Sequence, residues 1–235
     1  MTAYAAHARR SPQVPGGQFR YGVVLLLLIV LLVFAIIAPD DDWAHAVDPA
    51  LAGAALAVAV GTSRAKGEVR RARATAVTVA ALLVVILVGT GVLGVDLTFA
   101  VTTLLLAAIP VSLVGGLLRL IGKRGVTAQA VAGALAIYLA IGLLFAAAIT
   151  FVAAIESGPY FKQPADAASG IPVYYSFTVL TTTGFGDYTA ATPVGHALAV
   201  LEMLTGQLYL VTVIGILVGN FAGRRFRSSS QAGNA

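Results

Sequence analysis

The feature that most constrains this chain is a series of long apolar runs that carry almost no charge. They cover residues 21–38, 49–63, 74–95, 97–118, 126–155 and 194–221. A helix needs about 20 apolar residues to cross the hydrocarbon of a bilayer, so the runs predict six transmembrane helices. The run at 49–63 is the shortest and gives the weakest of the six predictions.

The overall composition agrees with an integral membrane protein. Hydrophobic residues make up 59% of the 235 positions and charged residues 11%, against about 25% charged in an ordinary soluble domain. The mean hydropathy is +0.92. The absence of cysteine from the sequence excludes a disulfide framework, a thiolate nucleophile and a cysteine-based metal site.

The basic residues test this layout independently, because they fall between the apolar runs. With six spans, all of them except Lys162 lie on one side: Arg9, Arg10, Arg20, Arg64, Lys66, Arg70, Arg71, Arg73, Arg119, Lys123, Arg124, Arg224, Arg225 and Arg227. The positive-inside rule then predicts a multi-pass protein of the cell membrane with both termini in the cytoplasm. This distribution explains the net charge of +5 without a nucleic-acid partner. A cleaved signal peptide is the alternative for run 21–38, which is long for that role, so we expect an uncleaved first helix.

A shorter apolar run at residues 171–182 precedes a glycine-containing motif. Its roughly 12 residues would rise about 18 Å as a helix, which is too short to span, so a re-entrant helix is expected. The motif reads Thr-Thr-Thr-Gly-Phe-Gly-Asp from Thr181 to Asp187. Glycines permit the backbone angles that turn consecutive carbonyls toward one axis. Carbonyls of a Thr-x-Gly-Tyr-Gly loop replace the hydration shell of K⁺ in potassium channels.

Residues 126–223 therefore resemble the pore module of the potassium channel family, with phenylalanine in place of the usual tyrosine of the motif. The resemblance implies that the Thr182 hydroxyl and the backbone carbonyls of Thr182, Thr183, Gly184 and Phe185 bind permeant K⁺. Gly186 would allow the outer turn. One such strand cannot enclose an ion, and the family arrangement implies a homotetramer, which closed cyclic symmetry permits. No cofactor is expected besides the permeant ion.

The same resemblance implies supporting roles around the motif. Asp187 would hold its outer end or attract cations, unless it is an ordinary turn residue. Tyr174 and Tyr175 would either brace the filter from behind or anchor the loop at the lipid headgroups. Pro172 suits the first turn of the short helix. Ala190 stands where the family often has proline, which leaves the outer turn less rigid.

Three residues of the last apolar run have candidate roles. Gly206 stands at the hinge position of the family's pore-lining helices, and close helix packing is the alternative reason for a glycine there. Glu202 is the one acid inside a predicted span, and intramembrane carboxylates are functional candidates. Gln207 follows five positions later, so the two side chains point about 140° apart. If Gln207 faces the cavity, Glu202 faces the back of the pore helix as a brace or proton-sensitive latch, and solvation at the span's outer end is the alternative.

Three other sequence patterns could indicate a dinucleotide site, a metal site or an enzyme, and each has a simpler explanation. Residues 89–94 match Gly-x-Gly-x-x-Gly, but they close an apolar run and open no amphipathic helix, so a dinucleotide site is not expected. His7, His45 and His196 are scattered and offer no metal-ligand spacing. No Ser/His/Asp set converges, and we do not expect an enzyme.

The sequence thus predicts an all-α integral membrane protein with six transmembrane helices and one re-entrant pore helix and filter loop between spans five and six. Its parts are a cytoplasmic tail at 1–20, a four-helix region at 21–121, a pore module at 126–223 and a short cytoplasmic tail at 224–235.

The expected function is passive, K⁺-selective conduction that is leak-like or filter-gated. Span 97–118 contains no Arg or Lys, so we expect no voltage sensor. The first four helices would pack around the pore or contact membrane lipid. The alternatives are a weakly selective cation channel, a K⁺ transporter subunit, and a non-conducting scaffold. A transporter would need repeated pore loops, and the sequence has one.

Overall fold

The computed structural model describes residues 21–38, 42–62, 95–164 and 170–217. Within these ranges the fold is all-helical, apart from one isolated β-bridge between Phe161 and Ala190. The helices are α1 (Tyr21–Ile37), α2 (Asp42–Thr62), α3 (Val95–Arg124), α4 (Ala128–Ile155), α5 (Gly170–Leu180) and α6 (Pro193–Tyr209). A π-helical turn, Leu210–Ile214, continues α6. The predicted third span, 74–95, lies outside the described residues except for its last position.

Among the described residues, three helical stretches are long and apolar enough to cross a membrane, namely Leu97–Gly122, Ala128–Ile155 and Pro193–Leu217. Shorter apolar helices cover Tyr21–Ile37, Val47–Thr62 and Gly170–Leu180. The described part of the chain is therefore all-helical with helices of membrane-spanning length, and the prediction from the sequence is confirmed at this level.

The helix that contains the second predicted span begins before that span. The sequence places its start at Pro49, whereas α2 already begins at Asp42 and continues through that proline. A proline removes one hydrogen bond and kinks a helix, but the chain on both sides can remain helical. The first turns of α2 are polar, so a search for apolar runs does not detect them.

Helix α4 is the centre of the packing. It packs against α1, α3, α5 and α6. Gly125 ends α3 in the left-handed region (φ 67°), with its amide bonded to the Ile121 carbonyl, as is common at helix C-termini. Two residues later Thr127 caps α4, its hydroxyl accepting from the Ala130 amide at 3.2 Å. This short connection makes α3 and α4 antiparallel neighbours.

Candidate functional site

The segment that follows α5, residues 181–187, folds back on the last turn of that helix and is called here loop 181–187. The amides of Thr183 and Gly184 both donate to the Thr178 carbonyl, at 2.9 and 3.0 Å. The position of the loop is therefore tied directly to the position of α5. All seven residues of the loop are exposed on a single chain.

The backbone of loop 181–187 alternates in handedness. Thr182, Gly184 and Gly186 have φ of 57°, 51° and 80°, whereas the residues between them do not have positive φ. In such an alternation the amide N–H groups gather on one side of the chain. The carbonyl oxygens are then free to gather on the other. Besides the Asp187 carboxylate, the oxygens that this loop offers to a cation are backbone carbonyls and threonine hydroxyls.

Thr182 is the only non-glycine residue with positive φ in the described part of the chain. The left-handed conformation costs an L-residue about 1–2 kcal/mol, and β-branched residues adopt it rarely. The sequence predicts positive φ at Gly186, which is confirmed, but gives no signal for this conformation at Thr182.

The residues that the sequence predicts as support for the loop make direct contacts at its outer end. The Tyr174 hydroxyl donates to Asp187 Oδ2 at 2.7 Å, and this hydrogen bond raises the pKa of Tyr174. The Tyr174 ring also stacks on Phe185, with ring centroids 6.4 Å apart and planes 6° apart. Tyr175 is buried and meets Phe161 edge to face at 5.1 Å. These contacts fit a brace better than headgroup anchors.

Residues 160–163 pair with residues 189–191 around the outer turn, and the two segments are called here the clamp. The clamp was not predicted from the sequence. The segment after α4 pairs with the segment after loop 181–187: the Ala191 amide donates to the Tyr160 carbonyl at 2.8 Å. The Thr189 amide donates to the Gln163 side chain, also at 2.8 Å. Burial raises the pKa of Tyr160, whose ring packs on Phe161. The adjacent aromatics at 160 and 161 were the available signal, but their partners lie about 30 residues away.

Gly206 lies where α6 crosses the end of α5. An added Cβ would meet the Leu180 carbonyl oxygen and would lie 2.9 Å from Leu180 Cδ1. Of the two reasons offered for a glycine here, the structure shows the close contact. The helical irregularity of α6, the π-turn Leu210–Ile214, comes four residues later. Gln207 is exposed, as expected for a side chain that turns away from the rest of its own chain.

Glu202 faces the opposite way from Gln207 and is fully buried. Its Oε1 lies 2.5 Å from the hydroxyl oxygen of Ser176 in α5. That hydroxyl oxygen lies 2.7 Å from the carbonyl oxygen of Gly142 in α4. Plain solvation of the carboxyl is therefore not what the structure shows. The sequence did not indicate that Ser176 and Gly142 complete this contact between three helices.

Residues 137–222 match the family described as "Ion channel", a span that begins within α4 and includes α5, loop 181–187 and α6. The filter, support and hinge residues predicted from the sequence all lie inside this match. No curated protein matches the chain. The segment from residue 137 to residue 222 therefore matches a two-helix ion channel domain, which is consistent with its resemblance to the potassium channel pore module.

Proposed function

We propose that four copies of this chain form a K⁺-selective pore in which loop 181–187 of each copy lines the conduction path. The carbonyls of Thr182, Thr183, Gly184 and Phe185, with the Thr182 hydroxyl, replace the water around the ion. The observation that carries this proposal is the alternation of left-handed residues at 182, 184 and 186, directly after the end of a short apolar helix. The carboxyl end of α5 adds partial negative charge, which favours a cation.

The requirement for several copies follows from the exposure of the loop. A single strand with all its residues exposed encloses no ion, and the motif occurs once in the sequence. Helix α6 is also largely uncovered, since 12% of its most apolar stretch is buried, compared with 39% in α4. Copies of α6 around an axis would cover part of this surface.

The oligomeric state can be measured by native mass spectrometry of the detergent-solubilised protein. We expect an assembly of four times the 24.0 kDa chain mass. A dimer or monomer that conducts K⁺ after reconstitution would contradict the tetrameric pore.

The proposed topology has six spans, with α5 entering the membrane from the outside and returning. Its 11 residues reach about 16 Å, roughly half of the hydrocarbon thickness. Both termini then lie in the cytoplasm, and the clamp residues, including Lys162, lie at the outer surface. The distribution of basic residues supports this orientation.

Gly186 offers the sharpest test of the pore. Nothing lies within 4 Å of an added Cβ on the same chain, so alanine there acts through the left-handed backbone, at φ 80°. We expect Gly186→Ala to abolish K⁺ flux into liposomes. Gly115→Ala is the matched control, because Gly115 lies in α3 with open space around it and no positive φ.

The outcomes of this experiment separate the candidate functions. Flux in the Gly186→Ala variant equal to that of the Gly115→Ala control would contradict the proposal that loop 181–187 lines the pore. Equal permeability of the unmodified chain to K⁺ and Na⁺ would favour the weakly selective cation channel. No flux from any variant would favour a scaffold.

A further inference from the structure

We infer that Glu202 carries a proton and donates a hydrogen bond to Ser176, which in turn donates to the Gly142 carbonyl. This neutral relay holds α5 between α6 and α4. Its effect on conduction rests on the proposed pore function, whereas the protonation of Glu202 does not.

The two short contacts of the Ser176 hydroxyl need two protons. Ser176 Oγ lies within hydrogen-bond distance of two oxygen atoms, Glu202 Oε1 at 2.5 Å and the Gly142 carbonyl oxygen at 2.7 Å. A serine hydroxyl has one proton and can donate only once, and a carbonyl oxygen can only accept. If the carboxyl were ionised, one of the two short contacts would have no proton between its oxygens. A protonated carboxyl supplies the missing proton, and both contacts then become hydrogen bonds.

The surroundings of Glu202 also favour a protonated carboxyl group. The side chain has no exposed surface, and within the described residues Oε2 is buried with no hydrogen-bond partner. Among the described residues, the titratable groups that face it are Tyr138 of α4, Tyr160 of the segment after α4 and Tyr175 of α5, and all three are neutral at neutral pH. An ionised carboxylate with no cation beside it is strongly disfavoured at membrane depth, and such groups become neutral instead.

The relay connects to loop 181–187 through α5 itself. Ser176 stands two residues before Thr178, whose carbonyl accepts the amides of Thr183 and Gly184. A shift of α5 would therefore move the two amides that fix the start of the loop. Glu202 is in this sense a positioning residue, since it touches the helix that carries the loop and not the ion.

Infrared difference spectroscopy of the reconstituted protein tests the protonation directly. A protonated carboxylic acid has a carbonyl stretch well separated from the carboxylate bands. We expect this band at neutral pH, its loss in Glu202→Gln and its shift in Ser176→Ala. Glu156→Gln, an acid at the end of α4 outside the relay, is the control that should keep the band. A spectrum of Glu202→Gln that matches the unmodified protein would overturn the inference.

Liposome flux tests the positioning role. Glutamine can donate to Ser176 as the neutral acid does, so Glu202→Gln should conduct at neutral pH, whereas Glu202→Ala should lose most of its flux. At alkaline pH the unmodified chain should lose flux as the proton leaves, and Glu202→Gln should not. Equal alkaline loss in both would assign the effect to the tyrosines and overturn the role of Glu202. A protein that shows the band but conducts no K⁺ would refute the pore and leave the relay standing.

Discussion

At the scale of single residues, the contact between Gly206 and Leu180 fixes how closely α6 approaches α5. Gly206→Ala would push a Cβ into backbone. Overpacking costs about 1–3 kcal/mol, and the higher helix propensity of alanine offsets about 1 kcal/mol of that. We expect a lower thermal unfolding midpoint in detergent. Gly215→Ala, further along the same helix, meets nothing within 4 Å and should be neutral or slightly stabilising. An unchanged midpoint for Gly206→Ala would show that the helices are further apart than described.

The hydrogen bond between Tyr174 and Asp187 gives a second prediction at this scale. Tyr174→Phe keeps the ring that stacks on Phe185 but removes the donor. We expect K⁺ flux that decays faster with time, because the outer end of the loop is held less firmly. Tyr188→Phe is the matched control. Equal decay in the two variants would remove Tyr174 from the support of the loop.

This bond also has a defined pH dependence. It raises the pKa of Tyr174 above its ordinary value of 10.0, so the hydroxyl remains a donor throughout the neutral range. The contribution of the bond is complete below the ordinary tyrosine pKa and is lost only as the pH rises through the raised value. Both pH 6 and pH 8 lie well below the ordinary tyrosine pKa, by about four and about two pH units. Tyr174 should therefore cause no change in the decay of flux of the unmodified chain between these two pH values.

What the sequence could predict at the residue scale depended on how local the cause was. A glycine at a left-handed position is a local signal, and Gly184 and Gly186 follow it. The contacts of Ser176 join residues 34 and 26 positions apart, so no local pattern contains them. The buried state of Glu202 was one of two alternatives left open, and only the packing of three helices decides between them.

At the scale of helices, the membrane sets lengths that can be read from apolar runs. Predicted run 21–38 corresponds to Tyr21–Ile37, run 126–155 to Ala128–Ile155, and run 171–182 to Gly170–Leu180. Apolar runs do not reveal helical residues that are polar, as in the first turns of α2. It also gives no sign of the π-turn after α6, because one extra residue in a turn leaves the apolar character unchanged.

Helix α3 carries the prediction about voltage. Its basic residues, Arg119, Lys123 and Arg124, all lie in its last two turns, and the apolar stretch before them has none. Voltage sensing needs several charges that move through the field, each worth about 2.3 kcal/mol per 100 mV. Patch-clamp records should therefore show an open probability that depends weakly on voltage. A steep curve equivalent to several gating charges per channel would refute this account of the first helices.

At the scale of the whole molecule, the first three helices and α6 differ in how much of their surface is covered. Helices α1, α2 and α3 pack with α4 into the main apolar core, in which Leu28, Ile109 and Ile137 are buried. Helix α6 packs mainly on α4 and α5 and leaves the rest of its surface uncovered. The family match covers the α6 side of this arrangement and not the first three helices. We therefore expect the pore axis on the α6 side, with α1 to α3 at the periphery.

The central claim is that loop 181–187 selects K⁺, and the reversal potential under bi-ionic conditions tests it most directly. The purified protein is reconstituted in a planar bilayer with K⁺ on one side and an equal concentration of Na⁺ on the other. The account predicts a current that reverses at a potential far from zero, with the K⁺ side negative, because that potential opposes the flow of K⁺ down its gradient. A current that reverses near zero would contradict it.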